Sequence, residues 1–398
     1  MAGMSIARNK QGVKVLVTGG LLQLFLGIIY VWSVFVAPVS ARLDWAPDKV
    51  KLTTSFMLSF FVIGILAGGR LLPKLGAQKV TLLGGLMLAA GMCAAAFVPP
   101  SAAWLIYIAY GVVGGLGVGA AYNAVITCAQ KWFPRNRGFA TGISVCAFGF
   151  STVIFAPLIE WLIGSFGVQN AFLILAGTYL LVVLAAFGFI RLPEDSGGGA
   201  ASAALLAKRQ FTLKEAMATK EFYFITLSIM LGTAAFFILN PSLKALAPER
   251  GLSAAMGTGL VMLTGVANAL GRLAIPLLSD KLGSTRGGIV PLVATALCAA
   301  GLIFARGPLF MVLAALIAFC YGGQSGNSSV ITADYFGIKN VASNYGAIMV
   351  GFALSALSFP FGFGLIESLT AKFAVLAGLA AAGAALLGLL LAGKRRPS

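Results

Sequence analysis

The chain has 398 residues, of which 59% are hydrophobic and only 10% charged, so it lacks the polar surface a globule in water requires. A water-soluble domain is excluded, and a polytopic membrane protein remains. Lys and Arg outnumber Asp and Glu by 28 to 11, yet the basic residues fall in short segments between apolar runs, where they set membrane orientation; no nucleic-acid partner is implied.

Apolar runs of about 20 residues cross a bilayer core as helices. Such runs are predicted at roughly 14–40, 50–69, 79–99, 103–130, 138–165, 170–191, 221–246, 254–278, 287–305, 308–333, 341–369 and 371–393. The fold expected is an all-α membrane protein of twelve transmembrane helices. MAGMSIARNK at the N-terminus is followed by no small-residue cleavage site, so the first run is expected to be span one and not a removed signal. Residues 192–220, the most polar stretch, contain PEDSGGGAASAALLAKRQ and are expected to link two six-helix bundles, 1–191 and 221–398. With both termini inside, twenty basic residues face the cytoplasm and seven the outside, which predicts a multi-pass protein of the inner or plasma membrane with both termini cytoplasmic. The five cysteines all fall within predicted spans and read as apolar packing residues, with no disulfide expected.

The two halves repeat. LLPKLGAQK follows span two and LLSDKLGSTR follows span eight, with Gly76 and Gly283 separated by 207 residues. Pro38 and Pro241 near the ends of spans one and seven are 203 apart, as are Phe133 and Phe336. Such repeats are the mark of transporters that bind substrate near the bilayer midplane, where the repeats meet.

The short loops resemble the signature of the major facilitator superfamily, Gly-x-Leu-x-Asp-Arg/Lys-x-Gly followed by a basic residue. The second loop keeps Asp280, Lys281, Gly283 and Arg286. The first keeps Lys74, Gly76 and Lys79 but has Pro73 in the acidic position. The resemblance implies two pseudo-symmetric bundles and a gating or structural role for Lys74, Gly76, Asp280, Lys281, Gly283 and Arg286. In span one, GIIYVWSVFVAPVSARLDW is similar to the Tyr-x-Trp-Ser-x-Phe segment of the oxalate/formate antiporter branch, neighbour to the monocarboxylate transporters. Tyr30, Trp32, Ser33, the span-eight arginine and the FPRNRGFATG loop carry that likeness.

Arg272 is the one basic residue left over once the twenty inside and seven outside are counted, and it lies within span eight. It precedes Asp280 by eight residues, which at 1.5 Å per residue places it roughly 12 Å from the helix end. A cation at such depth faces a cavity or a partner, or snorkels and bonds carbonyls. The eleven acids all lie in loops, in the linker or near span ends, so an anionic substrate is the simplest counter-charge, and a guanidinium fork matches a carboxylate. Asn268 is one turn earlier on the same face. The monocarboxylate transporters carry an Asp there, linked to proton handling; Asn268 does not titrate, so it either orients Arg272, bonds substrate, or makes an interhelical amide bond. The oxalate/formate antiporters pair their arginine with a span-eleven lysine, and no Lys stands between Lys339 and Lys372. One cation suits one carboxylate, because a second would be buried unpaired.

Helices that line the cavity in this superfamily contribute further candidates: Tyr30 and Trp32 in span one, Tyr122 and Asn123 in span four, Asn240 in span seven, Tyr321 and Asn327 in span ten, and Ser355, Ser358 and Phe359 in span eleven. Each residue type serves helix packing as readily as binding. YGVVGGLGVGAAY lacks the Lys and Ser/Thr of a phosphate loop and reads as close helix packing. The chain has no His, and no nucleophile–base pair or metal spacing appears. The reading is a transporter and not an enzyme, without cofactor or metal: a monomer carrying a small monocarboxylate such as lactate or pyruvate, coupled to a proton, by alternating access. An oxalate/formate-type anion exchanger is the alternative.

Overall fold

The structure is a computed structural model that describes residues 2–193, 209–364, 366 and 368–394. Linker residues 194–208, Glu367 and the side chains of Ser33 and Lys244 lie outside the described residues. All regular structure among the described residues is helical.

Among the described residues, ten helices are long and apolar enough to cross a membrane. Two are of double length: Pro47–Ala96 has 50 residues and Arg137–Phe187 has 51. At 1.5 Å per residue each would extend about 75 Å, more than twice a hydrocarbon core of about 30 Å. Each is interrupted once, at Gly76 (φ 78°, ψ 163°) and Gly167 (φ 78°, ψ 162°), a backbone region open essentially to glycine alone. Divided there, the ten helices make the twelve spans expected from the apolar runs. Gly283 (φ 88°) separates span eight, Ala254–Leu282, from span nine, Ser284–Leu302, in the same manner.

Two spans are locally irregular. Span one runs as Ala2–Leu26, a 3-10 turn at Gly27–Tyr30, and Trp32–Leu43. Span four opens as a π-helix over Tyr107–Gly114 before Gly115–Trp132 continues as α-helix. The other spans are seven, Lys220–Glu249; ten, Gly307–Phe336; eleven, Val341–Ile348 with Val350–Gly364; and twelve, Leu369–Lys394.

The chain divides into two compact units, Met1–Arg135 with Phe150–Ala203, and Asn136–Gly149 with Ala204–Ser398. The opening turns of span five therefore group with the second unit. Spans two and four of the first unit meet backbone to backbone: a Cβ on Gly119 would stand 1.9 Å from the Phe61 carbonyl oxygen. Spans eight and ten of the second meet alike, a Cβ on Gly322 standing 2.0 Å from the Asn268 carbonyl oxygen. Small residues permit this approach where lipid offers no hydrophobic drive for association. In the second unit an apolar core of Leu239, Leu243, Leu260, Leu302, Phe310, Ile317, Phe373 and Leu376 packs spans seven to ten against span twelve.

Matching arginines close the opposite end of each unit from the Gly76 and Gly283 turns. Arg42, in the last turn of span one, donates to the carbonyls of Ala95, Ala96 and Val98 at 3.4, 2.5 and 3.4 Å. Arg250, just past span seven, donates to the Ala305 carbonyl at 3.2 Å. Arg42 thus puts a cation on the last carbonyls of span three, where the helix dipole is negative, and Arg250 meets the chain just beyond the end of span nine.

Candidate functional site

Arg272 is 1% exposed. Its Nε donates to Asn268 Oδ1 at 3.1 Å, the contact that i, i+4 spacing on one helix predicts. Phe148 and Tyr321 flank the guanidinium, with ring centroids 5.7 and 5.9 Å from Cζ. Both fall within cation–π range, which strengthens as water is removed. Tyr321 is itself fixed, stacked on Phe236 at 3.8 Å and 7°, with Phe237 edge-on at 5.6 Å and Phe352 at 6.1 Å.

The approach of spans five and ten to span eight depends on absent side chains. A Cβ on Gly149 would lie 3.2 Å from Arg272 Cδ, and one on Gly138 only 1.9 Å from the Pro276 carbonyl oxygen. With Gly142 against Leu273, these glycines form the face of span five that rests on span eight. Phe148, next to Gly149, thereby reaches Arg272. It was not singled out from the sequence, although the spacing of Gly138, Gly142 and Gly149 within RGFATGISVCAFGF marks one helix face. On span ten, a Cβ on Gly322 would be 2.6 Å from Asn268 Oδ1, so only glycine there leaves room for the amide that holds Arg272.

Asp280 accepts the backbone N–H groups of Gly138 and Phe139, each at 2.9 Å. These are among the first N–H groups of the helix that starts at Arg137, so Asp280 caps it from span eight. Arg137 pairs through Nη2 with Asp334 of span ten. Gly283 makes the turn just described, while Lys281 and Arg286 are exposed. In the first unit Gly76 makes the corresponding turn beside exposed Lys74, and Pro73, inside the helix, offers no acceptor.

The other candidates separate by unit. In the first, Trp32 donates from Nε1 to the Val50 carbonyl at 3.0 Å and stacks on Tyr110 at 4.5 Å and Phe35 at 5.6 Å. Asn123 donates to the Ile65 carbonyl at 2.7 Å and accepts from Thr127 at 3.3 Å. Tyr122 is buried edge-on to Phe61 at 5.2 Å, and Tyr30 ends the 3-10 turn, half-buried. In the second, Asn327 accepts from Ser279 at 2.6 Å and donates to the Ser284 carbonyl at 2.9 Å, a turn or more from Arg272 towards the Gly283 end. Ser355 is fully buried and accepts from Thr233 at 2.9 Å. Phe359 packs on the apolar core; Asn240 and Ser358 are exposed, the latter donating to Leu354 at 2.6 Å. The structure thus brings Arg272, Asn268 and Tyr321 together, and sets Asn327, Ser355 and Phe359 in other parts of the same unit. Among the described residues no group of three or more His, Cys, Asp or Glu is placed to hold a metal ion.

Residues 17–360 match the family model described as Major Facilitator Superfamily. The chain belongs to this superfamily. Its members are carriers, and the major facilitator chain described here is accordingly a multi-pass transporter. It is 26% identical over 341 residues to an uncharacterized MFS-type transporter, YhjX, of Escherichia coli strain K12, covering 84% of this chain and 83% of that protein. It is 27% identical over 361 residues to the oxalate:formate antiporter of Oxalobacter formigenes, covering 89% and 83%, and 24% identical over 338 residues to monocarboxylate transporter 13 of Bos taurus, covering 83% and 75%. Among solved structures, the proton:xylose symporter XylE matches with TM-score 0.69 at 15% identity, over 98% of this chain and 97% of that one. The Escherichia coli fucose:proton symporter FucP matches with TM-score 0.68 at 13% identity, over 95% and 98%. These two likenesses speak to the fold. The sequence relatives tie the chain to the monocarboxylate transporters and the oxalate:formate antiporter.

Proposed function

We propose that this facilitator carries small monocarboxylates of the lactate and pyruvate class by proton-coupled symport and alternating access, with Arg272 receiving the carboxylate. The observation that supports this most directly is a buried guanidinium oriented by Asn268 and held between Phe148 and Tyr321. A planar fork fixed in this way favours a planar two-oxygen anion, and its aromatic walls suit a short apolar tail. Asn268 orients the fork, Tyr321 walls it, and the inner or plasma membrane is the expected setting, with both termini cytoplasmic. One proton carried with one monoanion moves no net charge.

The oxalate:formate relative makes exchange of a dicarboxylate the second reading. Against it stands span eleven, which brings no second cation, since neither Lys nor Arg stands between Lys339 and Lys372. Counterflow in proteoliposomes decides between them, using labelled lactate and a panel of formate, pyruvate, oxalate and succinate. Lactate and pyruvate are expected to exchange, accumulation is expected to follow an inward proton gradient, and oxalate is expected to compete more than about tenfold less well, since burying an unpaired carboxylate costs several kcal/mol. Oxalate competing as well as lactate would refute the single-cation argument.

A further inference from the structure

The part of the linker that is described, from Arg209 onward, lies along the ends of spans ten and eleven. Phe211 donates its N–H to the Phe336 carbonyl at 3.0 Å, and its own carbonyl accepts from the side chains of Asn340 and Asn344 at 2.9 and 3.2 Å. Gln210 Oε1 accepts the Lys339 N–H at 3.0 Å, and the Arg209 guanidinium covers the Phe211 ring at 4.6 Å. Behind this strap is a cavity of about 140 Å³ whose walls include Arg137, Arg209, Asp334 and Gly337.

Arg137 is 9% exposed. Its Nη2 is paired with Asp334, but its Nη1 is buried and has no hydrogen-bond partner among the described residues. A buried charged donor without an acceptor is costly, so such groups are normally met by protein, water or ligand. Across the cavity, Arg209 is largely exposed and only loosely associated with Glu215, at 3.8 Å. Glu215 has its carboxylate engaged instead by the Thr212 N–H and hydroxyl, each at 2.8 Å, which lower its pKa ahead of any effect of Arg209. Arg286 lines an adjoining hollow with Asp334. Of the charged residues that line the cavity itself, Arg137 and Arg209 are cations and Asp334, already engaged by Arg137, is the one carboxylate.

We infer that this cavity binds a phosphate group. Two arginine forks approach from different elements, span five and the linker. A planar carboxylate presents its oxygens along one edge and satisfies one fork, whereas a tetrahedral phosphate presents three terminal oxygens and accepts from both. Because Arg209 and Phe211 belong to the linker, occupancy fastens the linker to spans five and ten. The phosphate comes either from free inorganic phosphate or from an anionic phospholipid headgroup.

The test uses the full chain. In lipid-free detergent, inorganic phosphate replaces chloride at constant ionic strength while the thermal unfolding midpoint is followed; in parallel, the midpoint is compared in nanodiscs of phosphatidylcholine alone and with added phosphatidic acid. A saturable rise with inorganic phosphate is expected, with half-saturation weakened about tenfold in Arg209→Ala, the loss of one charge-assisted contact. Arg137→Lys, which keeps the charge beside Asp334 but removes the fork, is expected to weaken it similarly. A rise with phosphatidic acid alone, lost in Arg209→Ala, assigns the site to lipid. No saturable response to either probe, or a response that Arg209→Ala leaves unchanged, overturns the inference.

Discussion

The two short loops of the repeat perform one task in common and differ in a second. Gly76 and Gly283 both adopt positive φ, 78° and 88°, and both turn one span into the next. Only the second loop has an acid, and Asp280 uses it to cap the start of span five; in the first, Pro73 occupies that place. The pair shows that glycine makes the turn and the acid makes the clamp, and that a sequence can discard one and retain the other. The same contrast extends inward. Each unit closes its far end with an arginine, Arg42 or Arg250, but among the described residues the second holds a buried cation, Arg272, against aromatic rings within a span, while the first surrounds Trp32 with Tyr110, Phe35 and Phe172.

The contrast fails most sharply, if it fails, at Arg272. Arg272→Ala is expected to abolish saturable carboxylate uptake in proteoliposomes while the protein inserts normally, and Arg272→Lys to do so as well, since an ammonium offers a point charge and no fork. Trp32→Phe, at the aromatic centre of the other unit, is expected to retain uptake; equal loss from Trp32→Phe would make the two units functionally alike. The shared turn comes next. Gly76→Ala and Gly283→Ala are each expected to cost about 1–3 kcal/mol, by forcing alanine into a glycine-only region, and to lower the unfolding midpoint by similar amounts. Dissimilar losses would show that the two turns are not equivalent.

Asp280→Ala is expected to cost about 1–2 kcal/mol, the usual range for a lost N-cap, read as a lower unfolding midpoint. Asp280→Asn, which keeps an acceptor, is expected to recover part of it. The smallest effects belong to the two end arginines. Arg42→Met and Arg250→Met are each expected to cost about 0.3–1 kcal/mol from the lost carbonyl contacts. Arg250 should stand at the upper end, since it also lies 5.2 Å from the Phe373 ring and 5.8 Å from that of Phe310.

Much of this was legible in the sequence because it depends on local rules. Run length gave twelve spans, Gly76 and Gly283 marked two of their reversals while Gly167 passed unremarked, and Asn268 and Arg272 are neighbours by helical spacing alone. What escaped depends on contacts between residues far apart in the chain. Nothing in the local pattern around Phe148 announces that it covers Arg272, 124 positions later; only the glycine face beside it hints at a close partner. Asp334 was visible as an acid near a span end, but its pairing with Arg137 follows from how spans five and ten pack. Asn123 and Asn327 occupy similar positions in the repeat and look alike in sequence, yet one bonds a carbonyl of span two and the other joins Ser279 to the Ser284 carbonyl.

The eight π-helical residues of span four, Tyr107–Gly114, alter how that helix has to be indexed. A π turn closes with i→i+5 bonds and holds more residues than an α turn, so everything after Gly114 is rotated relative to an unbroken α-helix. A single helical wheel drawn from Tyr107 to Trp132 therefore assigns Tyr110 and Tyr122 incorrect relative azimuths. Cysteine-labelling data collected along this span would trace two offset stripes instead of one, and fitting them to a single period would blur the face that either stripe defines.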